Sequence, residues 1–167
     1  MTARDASSTF LKLAGSLDYP IFIVTTTDGR RCDGCVIGFA TQSSFDPARF
    51  LACLSRENRT YRVALGAEAL AVHLVPRAQI ELAKLFGGET GDEIDKFERC
   101  DWHEGPRGLP ILDGCPSWFA GAIVARHDLG DHVGFLLDPI EVHDAPGGEL
   151  MYFQAVKDVI EPGHPVS

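Results

Sequence analysis

Apolar and polar positions along the 167-residue chain fall into short runs with two periods. Residues 7–17 (SSTFLKLAGSL) place Phe10, Leu13, Ala14 and Leu17 at helical spacing, with Ser7 or Ser8 as cap. They predict a short amphipathic helix that Pro20 stops. Residues 19–27 (YPIFIVTTT) are β-branched and aromatic and predict a strand. Asp28-Gly29 signals a turn, and residues 35–40 (CVIGFA) form the returning strand of a hairpin. GFATQSSFDP, residues 38–47, then reads as a polar loop leading to FLACL, a third strand over residues 50–54.

Residues 56–68 carry helical spacing at Tyr61, Val63 and Ala64 and stop near Gly66, and residues 69–75 (ALAVHLV) predict a strand ended by Pro76. Residues 77–88 put Ile80, Leu82, Ala83, Leu85 and Phe86 on one helical stripe, closed by Gly87-Gly88. Residues 91–100 read as a shorter, charged helix, and residues 102–116, full of Gly and Pro, as irregular. Residues 117–144 predict a long hairpin turning at Asp128-Leu129-Gly130-Asp131. Residues 149–156 (ELMYFQAV) predict a last strand, and the tail IEPGHPVS a loose end.

Seven or so short strands, hairpin-linked at both ends of the chain, favour a mainly β, antiparallel architecture with inserted helices. A closed barrel would remove the exposed edges of so many short strands. No repeat or linker divides the chain, so residues 1–167 read as a single domain with its core over about residues 15–155. A composition of 45% hydrophobic and 23% charged residues fits a soluble globular protein. The net charge of -9 argues against a nucleic-acid partner, while a small anionic ligand needs only a local site. No stretch approaches the roughly 18 apolar residues of a membrane span, and a cytoplasmic protein is expected. The five cysteines, an odd number, read as reduced thiols.

Cys32-Asp33-Gly34-Cys35 has C-x-x-C spacing but sits in the expected hairpin turn before a strand, where a redox motif would open a helix. Cys53, Cys100 and Cys115 supply no second pair for zinc, so these read as turn and core cysteines. The cluster His127-Asp128-Leu129-Gly130-Asp131-His132 has the composition of a polar hairpin tip, and no metal site is expected there. Gly87-Gly88-Glu89-Thr90-Gly91 follows a helix and lacks the Lys-Ser/Thr ending of a P-loop. No G-x-S-x-G is present.

Two donor-rich segments remain. Thr41, Gln42, Ser43 and Ser44 precede FLACL, and Ser55-Arg56-Glu57-Asn58-Arg59-Thr60 follow it, with Ser55 placed to cap a helix. One strand length, about 17 Å, separates them. That suits a ligand with a flat head and a phosphate tail; one turn plus one helix cap with no ligand explains the same residues.

The order of these pieces resembles the flavin reductase-like family, whose members have an FMN-binding split β-barrel. YPIFIVTTTDG, GFATQSSF, FLACLSRENRTYRVA, LAVHLV with RAQIELAKLFGG, DKFERCDW, GLPIL, LGDHVGF and ELMYF occur in family order. The resemblance implies that Thr41, Gln42, Ser43 and Ser44 contact the isoalloxazine edge and ribityl chain. It implies that Cys53, Leu54 and Ser55 present backbone and hydroxyl groups to the flavin, and that Ser55, Asn58, Arg59 and Thr60 bind its phosphate. Phe86 and Gly87 would cover the site. His132, in a Gly-Asp-His triplet, would position the nicotinamide. The implied activity is an NAD(P)H-dependent flavin reductase that binds FMN, with FAD as the alternative flavin, and moves hydride from NADH or NADPH to it. A homodimer and a monooxygenase that takes up the reduced flavin are the implied partners. A flavin carrier or sensor without turnover, and a deazaflavin-dependent reductase, are the alternatives on the same barrel.

Overall fold

The structure, a computed structural model, describes residues 1–160, so the tail expected to be loose lies outside the described residues except for Ile160. Asp28 builds the first turn, its Oδ1 accepting the N–H groups of Arg30 (2.9 Å) and Arg31 (2.7 Å). This joins β1 (Phe22–Thr27) to β2 (Cys32–Ile37) in register from Phe22 opposite Ile37 to Thr27 opposite Cys32. The C-x-x-C therefore lies within a strand and not in the expected turn.

After Gly38-Phe39 come β3 (Ala40–Phe45), β4 (Ala48–Ser55), α2 (Arg59–Ala64) and β5 (Ala69–Leu74). The hairpin of β8 (Trp118–Asp128) and β9 (His132–His143) completes a seven-stranded antiparallel sheet in the order β2-β1-β5-β8-β9-β4-β3. The two edge strands, β2 and β3, are thus sequence neighbours joined by two residues. So short a link curls the sheet until the end of one edge strand lies beside the start of the other. No ladder crosses the seam between them; the bond from the Cys53 N–H to the Phe39 carbonyl (2.9 Å) extends the β3–β4 pairing one step beyond Ala40 opposite Ala52. The result is the expected split barrel.

Strand alternation fills it. Phe22, Val24, Cys35, Ile37, Ala52, Leu54, Leu70, Val72, Val133, Phe135 and Leu137 point inward and form one core with Ala64 of α2. Ile21 and Ile23 point outward into a second layer with Leu82, Ala83 and Phe86 of α3 (Ile80–Gly88), Phe97, Leu112, Met151 and Val156. A third cluster packs Leu109 and Ile111 on Ala69, Ala71, Trp118 and Ala120.

Several elements differ from expectation. The first helix, α1, spans Ala3–Ala14, because Thr2 and Asp5 form a reciprocal capping box upstream of the serines. The polar stretch of residues 41–44 belongs to β3, an edge strand. Residues 91–100 make only one 3₁₀ turn, Lys96–Glu98. Lys96 is buried there and its Nζ donates to the Gly34 (2.7 Å) and Phe86 (3.3 Å) carbonyls, which pins the segment between β2 and the end of α3. Residues 102–116 contain a small hairpin, β6 (Trp102–Glu104) and β7 (Pro110–Leu112). Residues 149–156 make isolated bridges, Leu150 to Pro76 and Tyr152 to Pro20, and then the short helix α4 (Phe153–Val156).

His73 ties these layers together. It is fully buried on β5, its Nδ1 faces the Ile23 carbonyl at 2.9 Å, and its Nε2 accepts the Leu112 N–H at 3.1 Å. The carbonyl can only accept, so the proton sits on Nδ1. Burial holds this imidazole down to about 4.

Candidate functional site

The seam opens onto a cavity of about 450 Å³. Its walls come from the end of β2 (Val36, Ile37) and the linker Gly38-Phe39 on one side, and from Cys53 and Ser55 of β4 on the other. Asn58 ahead of α2, Gly87 of α3, and Asp131-His132 of the β8–β9 tip also line it. Tyr19, Phe153 and Leu11 complete the lining.

Strand alternation explains the membership. Ala52 and Leu54 point into the barrel, so Cys53 and Ser55 point out toward the cavity. Gly38 is required where it stands, since a Cβ there would lie 2.5 Å from the Tyr19 ring. Tyr19 in turn stacks on Phe153, with centroids 4.8 Å apart and planes at 14°. Phe39 remains 57% exposed at the mouth, and its centroid lies 5.0 Å from the His132 ring.

The polar groups converge from three elements. Ser55 Oγ accepts the Glu57 N–H at 3.3 Å, and Asn58 Oδ1 caps α2 by accepting the Thr60 N–H at 2.9 Å. His132 Nδ1 faces Asp131 Oδ1 at 2.7 Å; a carboxylate only accepts, so Nδ1 carries a proton. The tip is anchored from β4: the Arg56 N–H donates to the Asp131 carbonyl (3.0 Å) and its Nε to the Gly130 carbonyl (3.0 Å). Arg56 Nη2 reaches Asp128 Oδ1 at 2.7 Å. Both thiols on the wall are neutral at neutral pH, since burial pushes Cys35 up to about 11 and also raises Cys53. Thiolate chemistry is not what this cavity is built for.

Of the residues expected at a site, Cys53, Ser55, Asn58, Gly87 and His132 come together here. Thr41, Gln42, Ser43 and Ser44 line β3 instead: Thr41 bonds the Gln42 carbonyl, and the Gln42 amide bonds the Ser44 carbonyl. Leu54 and Phe86 are core side chains. Arg59 turns to Asp33 (3.5 Å) and Asp92 (3.7 Å), and Thr60 is fully buried. The cavity adds Tyr19, Val36, Gly38, Phe39 and Phe153. Gly38 and Phe39 open the polar stretch of residues 38–47, and a glycine before an aromatic at a strand end is their one sequence signal.

Among the described residues, no group of three or more His, Cys, Asp or Glu side chains is arranged to hold a metal, and no helix is long and apolar enough to cross a membrane.

A family model for the flavin reductase like domain matches residues 14–160. The chain is 31% identical over 127 residues to HsaB, the reductase subunit of a flavin-dependent monooxygenase from Rhodococcus jostii, covering 74% of this chain and 62% of that protein. It is 28% identical to Stc3, the stachydrine N-demethylase reductase subunit of Rhizobium meliloti, covering 71% of this chain and 51% of that protein. It thus spans less than two thirds of either relative's length. The solved structure of SgcE6, an NADH:FAD oxidoreductase of Streptomyces globisporus, superposes with a TM-score of 0.81 at 22% identity, covering 91% of this chain and 90% of that one. A match over nearly the whole chain and a shared split-barrel fold lead to one conclusion: the chain belongs to the flavin reductase like domain family.

Proposed function

We propose that this protein is an NAD(P)H-dependent flavin reductase whose flavin lies in the cavity at the barrel seam. The observation that carries the proposal is the cavity itself. Its volume suits a small cofactor, its walls are largely apolar, and Ser55, Asn58 and His132 converge on it. The names of its relatives supply the reaction class: a reductase subunit of a flavin-dependent monooxygenase and an NADH:FAD oxidoreductase.

The protein's part in such a reaction is to hold flat rings in contact and keep water away. Val36 and Cys53 present an apolar floor, and Phe39 and His132 flank the mouth. Ser55 and Asn58 offer polar contacts at the α2 end, where a phosphate would lie. His132, held at Nδ1 by Asp131, would offer its other ring nitrogen to the carboxamide of a nicotinamide. A bound flavin, FMN or FAD, supplies the hydride acceptor, so no protein nucleophile is needed. Thr41, Gln42, Ser43 and Ser44 do not line the cavity and have no contact with the flavin in this reading.

A monooxygenase that consumes reduced flavin is the proposed partner, in line with HsaB. A homodimer is supported by α1, which buries none of its own residues. Phe10, Leu11, Leu13 and Leu17 stay more than half exposed, near an equally exposed Phe39. A lone 12-residue helix is marginal in water, and a second copy would cover this face.

Purified protein titrated with FMN or FAD is expected to quench flavin fluorescence and to oxidise NADH or NADPH only when flavin is present. Absence of any flavin binding would sink the proposal, and binding without turnover would reduce it to a flavin carrier. Light scattering on the same sample is expected to give twice the mass of one chain; a monomer at micromolar concentration would refute the dimer.

A further inference from the structure

We infer that Arg56 is a positioning residue for the reductase reaction, which sets the Asp131–His132 pair at the cavity mouth. The inference rests on the reading of His132 as the nicotinamide contact.

The β4–β9 ladder ends at Ser55 opposite His132, so beyond that pair the tip has no strand beside it. Arg56 takes the place of the missing neighbour. Its backbone N–H continues the ladder by one bond to the Asp131 carbonyl (3.0 Å), and its side chain then runs along the tip to the Gly130 carbonyl (3.0 Å) and Asp128 (2.7 Å). Tyr61 fixes the other side of the guanidinium, with its hydroxyl 3.2 Å from Nη1 and its ring centroid 5.9 Å from Cζ. The planar fork of arginine matches these divergent acceptors, which a lysine ammonium cannot do at once. Orientation then passes to the neighbouring residue: the held Asp131 accepts from His132 Nδ1, and His132 lines the cavity. Gly130 sits at φ 122, a conformation that glycine adopts readily, and the tip's own bonds, Leu129 N–H to the His132 carbonyl (3.1 Å) and Gly130 N–H to Asp128 (3.2 Å), leave the Asp131 carbonyl to Arg56.

Arg56 and Asp128 are both exposed, at 39% and 77% of the side chain, so the pair adds little to global stability. A positional role and a structural role therefore predict different results. Arg56→Gln is expected to raise KM for the reduced nicotinamide about tenfold, with flavin affinity within about twofold of wild type and the melting temperature within about 3 °C. The decisive measurement is the double variant Arg56→Gln/His132→Ala. If Arg56 acts through His132, the double variant loses no more than His132→Ala alone. Multiplying losses, or an unchanged KM in Arg56→Gln, would overturn the inference. An unchanged KM in His132→Ala would instead remove the reading on which it rests. Asp128→Asn keeps an oxygen for the Gly130 N–H (3.2 Å) but weakens the clamp. It is expected to fall between wild type and Arg56→Gln, and decides the matter by the same criteria if Arg56→Gln does not fold.

Discussion

Cys53→Trp is expected to weaken flavin binding at least about 100-fold while leaving a cooperatively folded protein. The expectation follows from alternation on β4. Ala52 and Leu54 are fully buried in the barrel, whereas Cys53 faces the cavity and is only partly covered. An indole at position 53 grows into the space between Val36 and His132 and does not disturb the packed interior. Its backbone N–H still reaches the Phe39 carbonyl, so the β3–β4 pairing is kept. Cys53→Ser, which keeps the size and loses only a neutral thiol, is expected to bind within a few-fold of wild type. Fluorescence titration with FMN and FAD reads both variants, with circular dichroism as the check on folding. Wild-type affinity in Cys53→Trp would place the flavin elsewhere.

The second large effect is on stability against acid. His73 titrates near 6.5 when unfolded and near 4 in the native protein, where burial disfavours the cation and Nε2 already accepts the Leu112 N–H. Its native pKa is depressed, so between those values the unfolded chain binds the extra proton. The stability that the neutral ring confers is complete above pH 6.5 and is lost as pH falls toward 4. A difference of this size amounts to about 3 kcal/mol, a large part of a domain's margin. Urea unfolding from pH 7 to pH 4 is expected to show it as a steep decline. His73→Gln can donate to the Ile23 carbonyl and accept from Leu112 without titrating, so its decline should be shallower by about that amount. Parallel pH profiles would show that His73 is not the cause.

Much of this architecture was legible in the chain, and the exceptions share one origin. Residues 22–27, 50–54 and 69–74 alternate or run apolar because layers cover them, and they are strands. Thr41, Gln42, Ser43 and Ser44 carry no such signal, because β3 pairs only with β4 and stands in solvent on both faces. A strand with nothing packed on it reads as a loop. Residues 149–156 looked like a strand because Leu150, Met151 and Phe153 are apolar, but the chain there has only two single-bridge partners, at Pro20 and Pro76. The expected helix of residues 91–100 yields to a buried lysine, which no periodicity reveals. At the candidate site, Cys53, Ser55, Asn58 and His132 were found because they lie in motifs. Tyr19, Phe39 and Phe153 join them only through the curl of the sheet, a tertiary event with no local pattern.

That curl also sets the order in which a working site can arise. Linking the two sheet edges costs little loop entropy, since Gly38-Phe39 tethers them from the start. The slow closure is the β4–β9 ladder, which pairs Phe50 with Leu137 across half the chain. The cavity needs both, with one wall on the tether and another on the ladder. A chain that holds only its local hairpins has the β2 wall and the His132 tip, but not yet side by side. With the flavin in the proposed seam site, gain of flavin binding during refolding is expected to mark formation of the β4–β9 ladder.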